Sequence, residues 1–188
     1  EYSNSFPVEN GVTQGAIISP ILFCVYLDTL LTELKRAGFG CFIGNWFAAA
    51  LAYADDLILL APSARAMRRM LSICNSFAAE YCVTFNNTKS KCITFHCSKL
   101  GRGTSTAQSS FTIGGKSIEN VDRWPHLGHI FNAQLTDDDD ITARRNSFIG
   151  QTNGFFCNFS MLDVQTKNTL FKVYCSSHYG SELWNLTS

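Results

Sequence analysis

The 188-residue sequence has no apolar run approaching the roughly 20 residues that a membrane-spanning helix needs, so no membrane span is expected. It has no excess of charge either: 15 basic and 15 acidic residues give a formal net charge of zero. Free-standing nucleic-acid modules are usually basic. An autonomous one is therefore not expected, whereas a piece of a larger protein with its basic surface elsewhere is compatible. The eight cysteines contain no C-x-x-C spacing, and Cys24, Cys74, Cys92 and Cys175 fall inside apolar stretches. That pattern predicts buried free thiols in a reducing, intracellular (cytoplasmic or nuclear) compartment rather than a disulfide framework. Cys92, His96 and Cys97 fit no standard zinc spacing, and no second pair completes them. No internal repeat is evident. What is present is apolar content: 46% hydrophobic residues, enough to bury a real core in one domain, or in one domain with a small appendage.

The first strong helix signal is Ser19-Pro20, a cap residue followed by proline at the first helical position. Phe23, Leu27, Leu30 and Leu34 then repeat at helical spacing, and Gly38 and Gly40 stop the helix. A hairpin is expected over residues 48–61. Ser63 caps a second helix whose buried stripe is Met67, Met70, Leu71, Cys74, Phe77 and Tyr81. Strands are expected at 83–85 and 91–96, with a turn at Asn86-Asn87 between them. Residues 99–110, rich in Ser, Thr and Gly, read as a loop. Residues 111–118 read as a hairpin bent at Gly114-Gly115, and 127–131 as a last strand. Four acids, Asp137–Asp140, suit a helix N-terminus. Helical spacing then runs from Ile141 through Phe148 to Phe155, and another helix is expected over 164–177.

Chemistry is concentrated at Tyr53-Ala54-Asp55-Asp56, which lies between the apolar runs 48–52 and 57–61. The pattern is a hairpin with two adjacent carboxylates at its tip. Such a pair suits a two-metal phosphoryl-transfer site, in which ions about 3.5–4 Å apart clamp the attacking and leaving oxygens. Mg²⁺ takes carboxylate and phosphate oxygens in this way. Taken alone, an Asp-Asp pair is more often an ordinary turn, because Asp hydrogen-bonds its own backbone. Gly11 and Gly15 permit close approach of backbone to a ligand. Gln14 carries both a donor and an acceptor for a base or sugar. A glycine-rich turn feeding a helix is the plainer reading of that segment. Tyr53 suits either a floor beside the carboxylates or core packing.

Taken in order, Gly11-Val12-Thr13-Gln14-Gly15, Ser19-Pro20-Ile21-Leu22-Phe23 and Tyr53-Ala54-Asp55-Asp56 resemble the reverse transcriptases of non-LTR (LINE-type) retrotransposons. Phe85-Asn86-Asn87-Thr88-Lys89-Ser90-Lys91 resembles that family's next block, usually Asn-Pro-x-Lys-Thr-Lys. Trp124-Pro125-His126-Leu127-Gly128 resembles its primer-grip block, usually ending Tyr-Leu-Gly. Asn87 and His126 depart from the pattern. The resemblance implies an α+β fold: the palm of a right-hand polymerase, an antiparallel sheet with helices on one face, ferredoxin-like, followed by thumb helices. Residues 1–131 would be part of the palm and 132–188 the thumb or connection.

The implied activity is RNA-directed DNA synthesis on an RNA template from a DNA primer and dNTPs, with Mg²⁺ or Mn²⁺. By the same resemblance, Asp55 is the direct metal ligand and Asp56 the weaker one. Lys89 approaches the leaving pyrophosphate. Gly11, Gln14, Gly15, Tyr53 and Ala54 meet substrate or template, and Leu127 and Gly128 grip the primer end. The family's further catalytic Asp and its fingers lie upstream of Gly11. The chain opens on Glu1 and is read as an internal segment, inactive by itself and dependent on those upstream residues. Two rivals keep the fold: an inactive palm-like scaffold that binds RNA or protein, and the palm of a group II intron maturase or telomerase-type enzyme.

Overall fold

The structure, a computed structural model, describes residues 15–95, 110–175 and 180–185. In order its elements are α1 (Ser19–Ala37), β1 (Phe42–Ile43), β2 (Trp46–Phe47), β3 (Ala50–Tyr53), β4 (Asp56–Leu59), α2 (Ala64–Glu80), β5 (Lys91–Cys92), β6 (Phe111–Ile113), β7 (Lys116–Asn120), β8 (Arg123–His126), β9 (His129–Asn132), α3 (Asp138–Asn158) and α4 (Val164–Tyr174), with a 3-10 turn at Ser181–Leu183. The fold class is α+β, as the sequence predicts. Its strands lie in small ladders, antiparallel except for β5 with β7. The described residues divide into two compact units: 15–90 with 110–118, and 91–95 with 119–175 and 180–185.

In the first unit, helical spacing delivers Leu27, Leu30 and Leu34 of α1 to one buried stripe, and Met70, Leu71, Cys74 and Phe77 of α2 to another. Burying each large apolar side chain stabilises by about 1.5–3 kcal/mol. The two helices are also pinned at one end. The Tyr26 hydroxyl of α1 donates to the Tyr81 carbonyl, and Phe77 stacks on Tyr81 with ring centres 4.6 Å apart. Ser63 caps α2 by accepting from the Ala66 amide at 3.2 Å, as expected. The cap of α1 is Ile18 rather than Ser19, so Ser19 and Pro20 both lie inside the first turn. Gly38 ends α1 with φ 68°. Gly40 is required for space as well: a Cβ there would stand 2.2 Å from that of Ala49. This close approach lets Cys41 donate to Leu60 at 3.1 Å and brings the β1–β2 ribbon against the β3–β4 hairpin. The β1–β2 ribbon is unexpected, although Gly44-Asn45 between Phe42-Ile43 and Trp46-Phe47 is a two-residue hairpin signal.

The hairpin bent at Gly114-Gly115 forms as expected, both glycines having positive φ as a type I′ turn requires. The strand expected at 83–85 does not form. The chain reverses at Cys82 (φ 54°) and turns again at Asn86, and among the described residues 83–85 pair with no other strand. Of the strand expected at 91–96, only Lys91–Cys92 is paired, running parallel to Glu119 and Asn120 in the second unit. His96, Cys97 and the expected loop up to residue 109 lie outside the described residues. The last strand expected at 127–131 is instead the return of the β8–β9 hairpin, with Leu127-Gly128 as its turn. The acids open α3 as predicted. Asp163 caps α4, accepting from the Thr166 amide at 2.9 Å. Hydrogen bonds to Thr166 hold the Asp163 carboxyl below its ordinary value.

Candidate active site

The β3–β4 hairpin pairs Ala50 with Leu59, Leu51 with Ile58, Ala52 with Leu57 and Tyr53 with Asp56, so Ala54-Asp55 is a two-residue turn. Positive φ at its first residue only (Ala54, φ 50°) is the pattern of a II′ turn, normally given to glycine. Holding an alanine at positive φ there costs about 1–3 kcal/mol. Directly paired residues leave the same face of a ribbon. Tyr53 and Asp56 therefore project together, beyond Leu51 and Ile58, and Asp55 sits on the turn. All four residues of the motif are exposed, Tyr53 by 67%. Core packing is thus not what Tyr53 does in this unit.

The two carboxylates offer oxygen donors of the kind Mg²⁺ accepts from one or two acids, with water and phosphate completing its shell. Among the described residues no ion pair engages Asp55 or Asp56. No third Asp, Glu, His or Cys among them joins the pair into a three-ligand cluster. The donor set therefore fits part of a divalent-ion site.

Lys89 lies on a turn organised by Asn86. The Asn86 side-chain oxygen accepts from the Thr88 amide (3.1 Å), the Thr88 hydroxyl (2.7 Å) and the Lys89 amide (3.2 Å). The Lys89 backbone is thus held while its side chain stays exposed. Asn87 reaches the ends of the Gly114-Gly115 turn, donating to the carbonyls of Ile113 (2.6 Å) and Lys116 (3.4 Å). A proline, usual at this point of the resembling block, has no such donor. Lys91 is engaged instead: it pairs with Glu119 at 2.5 Å and its ammonium lies 5.3 Å from the Trp124 ring centre.

Leu127-Gly128 belongs to the second unit. Both residues have positive φ (47° and 77°), the I′ geometry, which is strained at Leu127. The turn is held from α3, where Arg144 donates to the Gly128 carbonyl. Behind it lies Asp140, 1% exposed. Its carboxylate accepts from the Ile130 amide at 3.0 Å and from Trp184 Nε1 at 2.8 Å, and stands 3.2 Å from His129 Nδ1 and 3.8 Å from Arg144 Nε. In the first unit Gly15 is exposed at φ 85°, with open space where a Cβ would be, so conformation and not crowding calls for glycine. Gly11 and Gln14 lie outside the described residues.

Comparison with known proteins decides the family. The profile of the family described as reverse transcriptase (RNA-dependent DNA polymerase) matches residues 1–136. The chain belongs to the reverse transcriptase family. Its relatives include the Retrovirus-related Pol polyprotein from type-2 retrotransposable element R2DM of Drosophila melanogaster, 31% identical over 134 residues. A second is the Retrovirus-related Pol polyprotein from type-1 retrotransposable element R2 of Popillia japonica, 32% identical over 141 residues. Each alignment covers 70% of this chain but only 13% and 22% of those relatives. A Nasonia vitripennis R2 polyprotein is 30% identical over 129 residues, 65% of this chain and 12% of that relative. The recognition of a non-LTR retrotransposon reverse transcriptase from its motifs is borne out.

Within this reverse transcriptase chain the structure brings Tyr53, Ala54, Asp55 and Asp56 onto one turn and fixes the backbone of Lys89 in the same unit. What the sequence reading missed is the anchoring behind the motifs. Asp140 reads from the sequence as one of four helix-start acids, yet its spacing of four from Arg144 is a legible ion-pair signal. The thiols are free at every described cysteine. Cys74 and Cys175 are buried and Cys92 partly so, but Cys24, expected inside, is exposed because it lies off the stripe of Leu27 and Leu30. Among the described residues no helix is long and apolar enough to cross a membrane.

Proposed function

We propose that this chain is the nucleotidyl-transfer part of a retrotransposon RNA-directed DNA polymerase, with residues 1–131 contributing to its palm and 132–188 to its thumb. One observation carries the reading: in a chain of the reverse transcriptase family, two adjacent carboxylates stand exposed at a hairpin tip, Asp55 on the turn and Asp56 at the first position of β4, with no ion pair to either among the described residues. Asp55 holds Mg²⁺ or Mn²⁺ directly and Asp56 supports it. When bound, the ions neutralise developing charge on the attacking and leaving oxygens. The primer 3′-oxygen bonds to the α-phosphorus of a dNTP paired with the RNA template. The bond from that phosphorus to the pyrophosphate oxygen breaks, and the hydroxyl proton is released. Tyr53 supports the primer terminus from the face it shares with Asp56, and Ala54 keeps that path clear. Lys89 meets charge on the departing pyrophosphate. Gly11, Gln14 and Gly15 border the template, and Leu127-Gly128 holds the primer end. Upstream residues of the longer polypeptide supply the fingers and the remaining carboxylate.

The test is primer extension on an RNA template by the full-length polymerase containing this chain. Asp55→Asn keeps size and loses charge, and it is expected to abolish incorporation; Asp56→Asn is expected to reduce it less. Near-normal incorporation by Asp55→Asn would overturn the metal assignment.

A further inference from the structure

We propose that Arg144 is a positioning residue for the primer end, oriented by the buried carboxylate of Asp140, so that α3 sets where the Leu127-Gly128 turn stands. The inference deepens the functional reading above and rests on its assignment of that turn. The β8–β9 ribbon has four residues in each strand. A two-stranded ribbon of that size is marginal by itself, and Leu127 adds strain at its tip. Something outside the ribbon must hold the tip still. Asp140 and Arg144 of α3 reach the turn end of the ribbon, while Asp139 of the same helix meets Asn132 and Arg123 at its other end. Asp140, on the first turn of α3, grips β9 through the Ile130 amide and braces against the Trp184 indole. One helical turn further on, the Arg144 guanidinium faces the same carboxylate through Nε and donates through Nη2 to the Gly128 carbonyl. A planar guanidinium makes both contacts in a fixed geometry, which an ammonium does not. The carboxylate therefore aims the arginine, and the arginine fixes the carbonyl at the tip of the turn. A displacement of about 1 Å at a reacting end lowers a rate on the order of 10²-fold.

The experiment is steady-state primer extension by the full-length polymerase containing this chain, with Arg144→Ala, Arg144→Lys, Asp140→Asn and Gly128→Ala, and with the exposed neighbour variant Arg145→Ala as control. The expected result for Arg144→Ala is a kcat lowered roughly 10- to 100-fold, with KM for dNTP unchanged and with the loss persisting at assay temperatures well below the variant's own melting temperature. Arg144→Lys should recover part of the loss, Asp140→Asn should follow Arg144→Ala, and Arg145→Ala should match wild type. If Arg144→Ala extends normally while Gly128→Ala is impaired, the turn contacts the primer but α3 does not position it, and the proposal is overturned. If neither variant is impaired, the primer-end assignment of the turn is wrong and the proposal falls with it. A loss of kcat that only tracks a lowered melting temperature makes Arg144 merely structural and likewise overturns it. Should Arg144→Ala fail to fold, Arg144→Lys decides by the same split of kcat against KM.

Discussion

Replacing Asp140 with alanine should loosen the turn end of the β8–β9 ribbon from α3, while Asp139 still accepts from Asn132 at the other end, and the size of the effect can be worked from the contacts of Asp140. The side chain is buried and accepts from two donors, the Ile130 amide at 3.0 Å and Trp184 Nε1 at 2.8 Å. Each buried donor left without a partner costs about 1–3 kcal/mol. Arg144 and His129 also lose the carboxylate they face, and breaking a buried charged pair typically costs about 3–5 kcal/mol in all. Arg144 is partly exposed and regains some solvation, so the lower part of that range, about 3 kcal/mol, is expected. The appropriate assay is amide hydrogen exchange on the 188-residue chain, because it reads local opening of one element. A loss of about 3 kcal/mol is roughly a 100-fold fall in protection, here at the β9 amides. Asp138→Ala is the control. Asp138 is exposed on the same first turn and contributes the helix-dipole interaction, about 0.3–1 kcal/mol. Asp140→Asn keeps one acceptor oxygen and should fall between the two. Equal exchange at Ile130 in Asp140→Ala and Asp138→Ala would refute the reasoning, since the carboxylate would then contribute only as one more charge at a helix start.

Two further predictions concern Lys89 and the cysteine thiols. Lys89→Ala in the full-length polymerase should slow incorporation with little change in template binding, because the ammonium acts as pyrophosphate charge develops, so the loss appears in kcat; a change confined to KM for dNTP would place Lys89 in substrate binding, and no change would make it a solvated turn lysine. At mildly alkaline pH, iodoacetamide should label the exposed Cys24, Cys82 and Cys157 in the folded chain well before Cys74. Burial pushes the Cys74 thiol from 9.0 up to about 12, so the folded state keeps its proton when the unfolded state has lost it. The corresponding stability is whole below pH 9 and is lost as pH rises towards 12. Peptide mapping after alkylation, and urea midpoints across that pH range, check both statements, and early labelling of Cys74 would contradict its burial.

Much of this protein follows from its sequence alone. Helical spacing of Leu27, Leu30 and Leu34, and of Met70, Cys74 and Phe77, determines both helices of the first unit, because each stripe must find an apolar partner. Gly114-Gly115 specifies its turn because few residues tolerate positive φ twice in succession. The order of the motifs around Asp55-Asp56 determines the family. Tertiary structure alone decided the rest. Residues 83–85 have strand-like composition, yet pairing depends on a neighbour that composition does not name. Asn87 reads as a departure from a motif until the Ile113 carbonyl is found 2.6 Å from its amide. Asp140 reads as one acid among four until Ile130, Trp184, His129 and Arg144 are seen around it. Local periodicity selects which face of an element is buried, because that depends on spacing along one chain segment. Which polar group meets which across 10, 26 or 44 residues depends on how the elements pack, and no local pattern carries that distance.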